Sequence, residues 1–166
     1  MISGTGVVEG SPWKNGNINI KKVEILDGVT GIGEQVFYYH STIKSVQMPD
    51  SVTTIGDEAF DGCSGLTDIT ISKNLTSIGY EAFRGCNSLE TIEFPRTLKE
   101  IASWAFHTCW KLNNMIIPEG VTELGDHAFE DCRALANIEL PESLEIKKHT
   151  LAGKRKKYCV VYLFWL

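Results

Sequence analysis

Apolar side chains return along this chain on a fixed ruler. Phe37, Phe60, Phe83, Phe106 and Phe129 are each 23 residues apart. Val29, Val52, Leu75, Leu98, Val121 and Leu144 keep the same interval, as do Ile32, Ile55, Ile78, Ile101 and Leu124. Cys63, Cys86, Cys109 and Cys132 form a fourth register. Composition alone does not align four registers over five repeats. A period of this length predicts a repeat solenoid, in which one repeat cannot bury its own apolar face and stacked neighbours complete the core. The core is therefore expected as a long column, and the function on a surface.

Within a repeat the pattern changes twice, and residues 52–74 show it best. The segment 66–71 alternates toward its end, with Ile69 and Ile71 inward and Asp68 and Thr70 outward, which predicts a short strand. Its copies should stack into a parallel sheet on one face. The segment 57–61 (DEAFD) follows Gly56 and stops at Gly62, which predicts one short helical turn on the other face. Phe60 would wedge the space between them, and Val52 with Ile55 would bury a second extended or turning segment. Pro49, Pro95, Pro118 and Pro141 recur just after the strand, where no ladder donor is required. The expected class is thus α/β or mainly β.

Three regions follow from the ruler. Residues 1–28 form a partial N-terminal repeat and cap: Ile20, Val23 and Ile25 match Leu66, Ile69 and Ile71, and Trp13 is placed to cover the open end. An unstructured leader is the competing reading. Residues 29–143 hold five repeats. Residues 144–166 form a degenerate sixth, in which Ile146 arrives one residue early and no phenylalanine occupies 152. Register returns at Tyr158, Val161 and Leu163, 23 residues after Leu135, Ile138 and Leu140. That end reads either as a last strand closed by Phe164 and Trp165 or as an aberrant tail after Lys154, Arg155, Lys156 and Lys157.

Composition removes several functions. A hydrophobic content of 43% with 22% charged residues is globular, and a net charge of -5 argues against nucleic acid or an anionic membrane as partner. The first ten residues lack the basic start and apolar run of a secretory signal, and the opening reads as truncated. The longest apolar run, residues 159–166, is far shorter than the roughly 20 residues of a membrane-spanning helix. Stacked cysteines about 4.8 Å apart form a ladder of parallel side chains, which suits buried free thiols better than disulfides or a tetrahedral metal. His40, His107, His127 and His149 occupy nonequivalent rungs and read as hydrogen-bonded interior or rim histidines, not ligands. No nucleophile elbow, zinc-protease or phosphate-loop motif occurs. No catalytic residue, cofactor site or metal site is expected, and the chain reads as non-enzymatic.

The outward strand positions are the candidate partner surface: Ser45, Gln47, Asp68, Thr70, Thr91 and Glu93, continuing through Asn114, Ile116, Asn137 and Glu139. This row is polar and mildly acidic, matched to a basic segment of a partner protein, although the same residues would also simply keep a sheet soluble. Trp104 and Trp110 replace Glu58, Glu81 and His127, and Ser64, Asn87 and Arg133, at their ladder positions. They join the candidate surface as contact residues, against the reading in which each folds onto its neighbouring repeat.

The repeat V-T-x-I-G-x-x-A-F-x-G-C-x-x-L-x-x-I-x-I-P, carried by Val52, Thr53, Ile55, Gly56, Ala59, Phe60, Gly62, Cys63, Leu66, Ile69 and Ile71, resembles the BspA-like leucine-rich repeats, also known from a treponemal surface protein. The resemblance covers residues 20–144. The first repeat departs from it at Gln35, Val36 and His40, and Thr108 replaces a glycine. It implies a leucine-rich repeat solenoid from a bacterial cell-surface or secreted protein, with adhesion to a host or bacterial protein as the expected role. A passive spacer displaying another domain is the alternative.

Overall fold

The computed structural model describes residues 1–10, 19–142 and 144, together with the backbone of 160–162. Most repeats contribute two extended segments to a coil, and successive coils pair in parallel. The Val-x-x-Ile segments build one six-stranded sheet in the order β1 (Gly6–Val8), β3 (Val29–Ile32), β5 (Thr54–Ile55), β7 (Ser77–Ile78), β8 (Glu100–Ile101) and β10 (Glu123–Leu124). Register follows the ruler, with Ile32 beside Ile55, Ile55 beside Ile78, Ile78 beside Ile101, and Ile101 beside Leu124.

The alternating segments build two further parallel sheets, β2 (Lys22–Glu24) with β4 (Ser45–Gln47) and β6 (Asp68–Thr70), and β9 (Asn114–Ile116) with β11 (Asn137–Glu139) and β12 (Val160–Tyr162). In β12 the backbone of Val161 lies beside Ile138, which is the 23-residue register of the last-strand reading. The remaining side chains of that end, and Trp13, lie outside the described residues. At the other end the chain covers its column with β1 and a bridge from Ile2 to Ile25, so the opening residues are extended and paired.

The expected helical turns are not formed: among the described residues there is no helix. The physical reason lies in the backbone of residues 57–63. Glu58 sits at φ 53°, in the left-handed region, which interrupts any right-handed helical run through these residues. Its N–H groups also alternate in direction. Those of Glu58, Phe60 and Gly62 donate to the carbonyls of Tyr80, Ala82 and Arg84 in the next repeat, each at 2.8 Å. Those of Ala59, Asp61 and Cys63 close tight turns onto Gly56, Glu58 and Phe60. A helix would point every donor along its own chain; here half of them stitch coil to coil.

The core is the expected column. The five phenylalanines are fully buried and stack with ring centroids 5.0, 5.2, 5.2 and 5.4 Å apart, within 15° of parallel. Cys63, Cys86, Cys109 and Cys132 are free and buried, and each thiol donates to the carbonyl of the phenylalanine one repeat back, at 3.1–3.3 Å. Burial pushes the Cys63 thiol up to about 12, so these sulfurs act as donors and not as nucleophiles. Coils approach closely beneath the first sheet: a Cβ on Gly79 would lie 2.7 Å from the Asp57 backbone nitrogen.

Candidate functional site

The predicted outward row is real in orientation but cut in two. Gln47, Asp68, Thr70, Asn114 and Asn137 are exposed, Ser45 and Glu139 are half-buried, and Ile116 is 64% exposed. Ser45 to Thr70 belong to the β2–β4–β6 sheet, and Asn114 to Glu139 to the β9–β11–β12 sheet. Thr91 and Glu93 lie between them on residues 91–94, which join neither sheet.

The break has a definite hydrogen-bond signature. Along the two sheets the residue after each strand donates to the next coil, Ile25 to Gln47, Met48 to Thr70 and Ile117 to Glu139, at 2.9–3.1 Å. The corresponding bonds from Ile71 to Glu93 and from Phe94 to Ile116 are missing, and residues 91–94 make no backbone hydrogen bond to β6 or β9. At the centre of the break stands Phe94, where other repeats carry Ile25, Met48, Ile71, Ile117 or Leu140. Its half-buried ring meets Phe106 edge-on at 5.7 Å.

Clefts open on both sides of residues 91–94. The larger, about 890 Å³, is lined by Glu93, Phe94, Arg96, Ile116, Glu119 and Glu139 among others. The smaller, about 440 Å³, is walled by Asp68, Thr70 and Lys73 facing Thr91, Glu93 and Phe94. Each cleft therefore has one strand edge with unused backbone groups and a rim carrying more carboxylates than cations, and the larger is lined mainly by apolar surface. Edges of this kind are templates for a further strand.

The tryptophans part company. Trp104 is half-buried, stacked on His127 at 4.3 Å and edge-on to His107 at 4.7 Å. Trp110 is 44% exposed, with the guanidinium of Arg133, its equivalent one repeat on, 4.9 Å above the ring. His40 is half-buried, its Nδ1 3.0 Å from the carbonyl of Tyr38. His107 and His127, which the ruler separates, both face Glu130, with Nδ1 atoms 3.7 and 3.3 Å from the same Oε2.

A second polar constellation lies on the turns between the two strands of each coil, and sequence reading passed over it. Glu58 and Glu81 occupy one ladder position, Asp61 and Arg84 another three residues on. One carboxylate oxygen from each of Glu58, Asp61 and Glu81 lies within 4.8 Å of the others. Arg84 pairs closely with Glu81 at 2.8 Å and stands 3.8 Å from Asp61. Asp61 is 2% exposed and its Oδ2 accepts no hydrogen bond. Burial, opposed by Arg84 and reinforced by Glu81 and Glu58, pushes its carboxyl up to about 6. The available signal was the ruler itself, which had already placed Glu58 and Glu81 in one column with Trp104.

A family model described as BspA type Leucine rich repeat region matches the chain in six copies, over residues 14–132 and 53–159. The fold is similar to a leucine-rich repeat protein of T. pallidum, with 31% identity and TM-score 0.75 over 86% of this chain and 74% of that one. A leucine rich cell surface protein of Faecalibacterium prausnitzii gives 37% identity and TM-score 0.70 over 76% of this chain, but only 37% of its own length. A leucine-rich repeat protein from Bacteroides ovatus gives 30% identity and TM-score 0.67, covering 75% and 41%. No curated protein matches the chain.

Proposed function

Because the chain belongs to the BspA-type leucine-rich repeat family, we propose that it is a non-enzymatic protein-binding module of a bacterial cell-surface or secreted, adhesin-like protein. The proposed docking site is the interrupted sheet, and the proposed ligand is an extended, basic segment of a host or bacterial surface protein. The observation that carries this reading is the break at residues 91–94. It leaves strand edges of β6 and β9 beside clefts deep enough for side chains. Main-chain pairing along such an edge supplies affinity, and the cleft supplies specificity. Asp68, Glu93, Glu119 and Glu139 favour a basic occupant over an acidic one. The likeness to a protein described as a cell surface protein supports the location. Among the described residues no helix is long and apolar enough to cross a membrane.

The test is a binding screen of the purified chain against host extracellular-matrix and bacterial surface proteins. Two variants run alongside. Glu93→Lys with Glu139→Lys reverses the rim, and Phe94→Ile gives the third repeat the side chain its neighbours use. Binding should fall about tenfold or more with the reversed rim, and also where Phe94→Ile closes the ladder. Binding untouched by both variants would move the site off the sheet. An absence of any ligand would favour a passive spacer.

A further inference from the structure

We propose that Glu58, Asp61 and Glu81 form a binding site for a divalent, oxygen-seeking cation of the Ca²⁺ class, held between the second and third coils and closed on one side by Arg84. The inference is independent of the docking site on the sheet.

The geometry is that of a ligand set. Around one Ca²⁺ the oxygens stand about 2.3–2.6 Å from the ion, so oxygens sharing it lie within about 4.8 Å of each other. The three carboxylates already meet that condition. They are brought there by the coil, not by flexible reach. Glu58 and Glu81 are successive members of one ladder, both in the left-handed region at φ 53° and 52°, and Asp61 lies one tight turn beyond Glu58.

Asp61 supplies the independent sign that something is missing. It is 2% exposed, and its Oδ2 lacks any hydrogen-bond donor. A buried charged oxygen without a donor is strongly unfavourable, and native proteins answer such groups with a proton, a partner or a metal. Arg84 answers it only in part: the guanidinium is held close to Glu81 at 2.8 Å and reaches Asp61 Oδ2 as a longer ion pair at 3.8 Å, and the Gly62 N–H also donates to the Asp61 carboxylate. Three carboxyl groups against one guanidinium leave an excess of acidic oxygens, which suits a cation.

The donor set selects the cation. All protein ligands are carboxylate oxygens, with no sulfur or imidazole, which favours Ca²⁺ over zinc or copper. Gln35 steadies Glu58 through a 3.1 Å hydrogen bond to Oε2. Water would complete the shell on the open side, and the half-exposed Arg84 has room to swing outward. A site with three carboxylates and this much solvent belongs with extracellular modules, at a dissociation constant of about 10⁻⁴–10⁻³ M.

Calorimetric titration of the whole chain with CaCl₂, and its melting temperature with and without the ion, test the proposal. One Ca²⁺ should bind per chain and raise the melting temperature. The shape-conserving Glu58→Gln and Glu81→Gln should each weaken binding about tenfold or more. Arg84→Ala should keep or strengthen it, since a competing cation is removed. Absence of heat and of any thermal shift would overturn the proposal, as would binding that both glutamine variants leave unchanged. Loss of binding in Arg84→Ala by a chain that still melts cooperatively would overturn it too, because the guanidinium would then be part of the structure the carboxylates need.

Discussion

Gln35, Glu58, Glu81, Trp104 and His127 hold φ between 52° and 62°, and so do Tyr39, Thr108 and Asp131 at a second position, where Gly62 and Gly85, at φ 70° and 68°, occupy the left-handed region without strain. An L side chain in this region is disfavoured by about 1 kcal/mol, most of all a β-branched one. Thr108→Gly should therefore stabilise the chain by about 0.5–1 kcal/mol. Part of the gain is offset by losing the 2.7 Å bond from its hydroxyl to the His107 carbonyl. Chemical denaturation of the two proteins checks this.

Asp61 makes a second prediction at this scale. Its folded-state acid constant, about 6, lies above the ordinary value of 3.8, because burial and the charges of Glu81 and Glu58 outweigh Arg84. The neutral acid is thus the form the fold prefers. Its contribution to stability is fully present below pH 3.8 and is lost as pH rises through about 6. The stability of Asp61→Asn relative to the parent, measured by denaturation in chelator, should increase across that window. A constant difference would contradict the buried, donor-poor setting of this carboxylate.

At the scale of elements, the ruler read correctly which segments are extended and in what register, and failed on the turns. Strand legibility came from alternation, as at Ile69 with Ile71, and from the invariant spacing that pairs Ile55 with Ile78. Residues 57–61 look helical because glutamate and alanine are good helix formers. The stacked coil overrides that preference, since its neighbours need the N–H groups of Glu58, Phe60 and Gly62. The gap at residues 91–94 was equally invisible, although Thr91 and Glu93 are exposed there. A single phenylalanine in place of an aliphatic residue accompanies it. Phe94→Ile should restore the ladder, slowing hydrogen exchange at the amides of residues 91–94 while the rest of the profile stays as it was.

The whole molecule is a one-dimensional stack, in which each coil buries its apolar face only against its neighbours. Stability is therefore concentrated along the column of rings from Phe37 to Phe129. Phe83→Ala, in the middle, removes one ring and both of its stacking contacts at 5.2 Å. It should lower stability by about 3–5 kcal/mol, seen as a large drop in the denaturation midpoint. The thiols lining the column should stay unreactive toward alkylating reagents until the chain unfolds, because all four are buried and burial raises the thiols of Cys63, Cys86 and Cys109.

The sequence by itself determined the period, the column of phenylalanine, the ladder of free thiols, the parallel register and the polar character of the outward row. Those properties repeat, and a property imposed once per coil is written in the spacing. Only the tertiary structure decided where the repetition fails and what nonequivalent residues do when coils meet. It replaced the expected helical turns with left-handed, cross-linked ones, opened the sheet beside Phe94, folded Trp104 onto His127, and brought Glu58, Asp61 and Glu81 together. The reason is physical: a side chain's environment in a stack is set by the coils above and below it, 23 residues away in each direction. The spacing says which residues will be neighbours, but their sizes, charges and backbone angles must be packed together before the outcome exists.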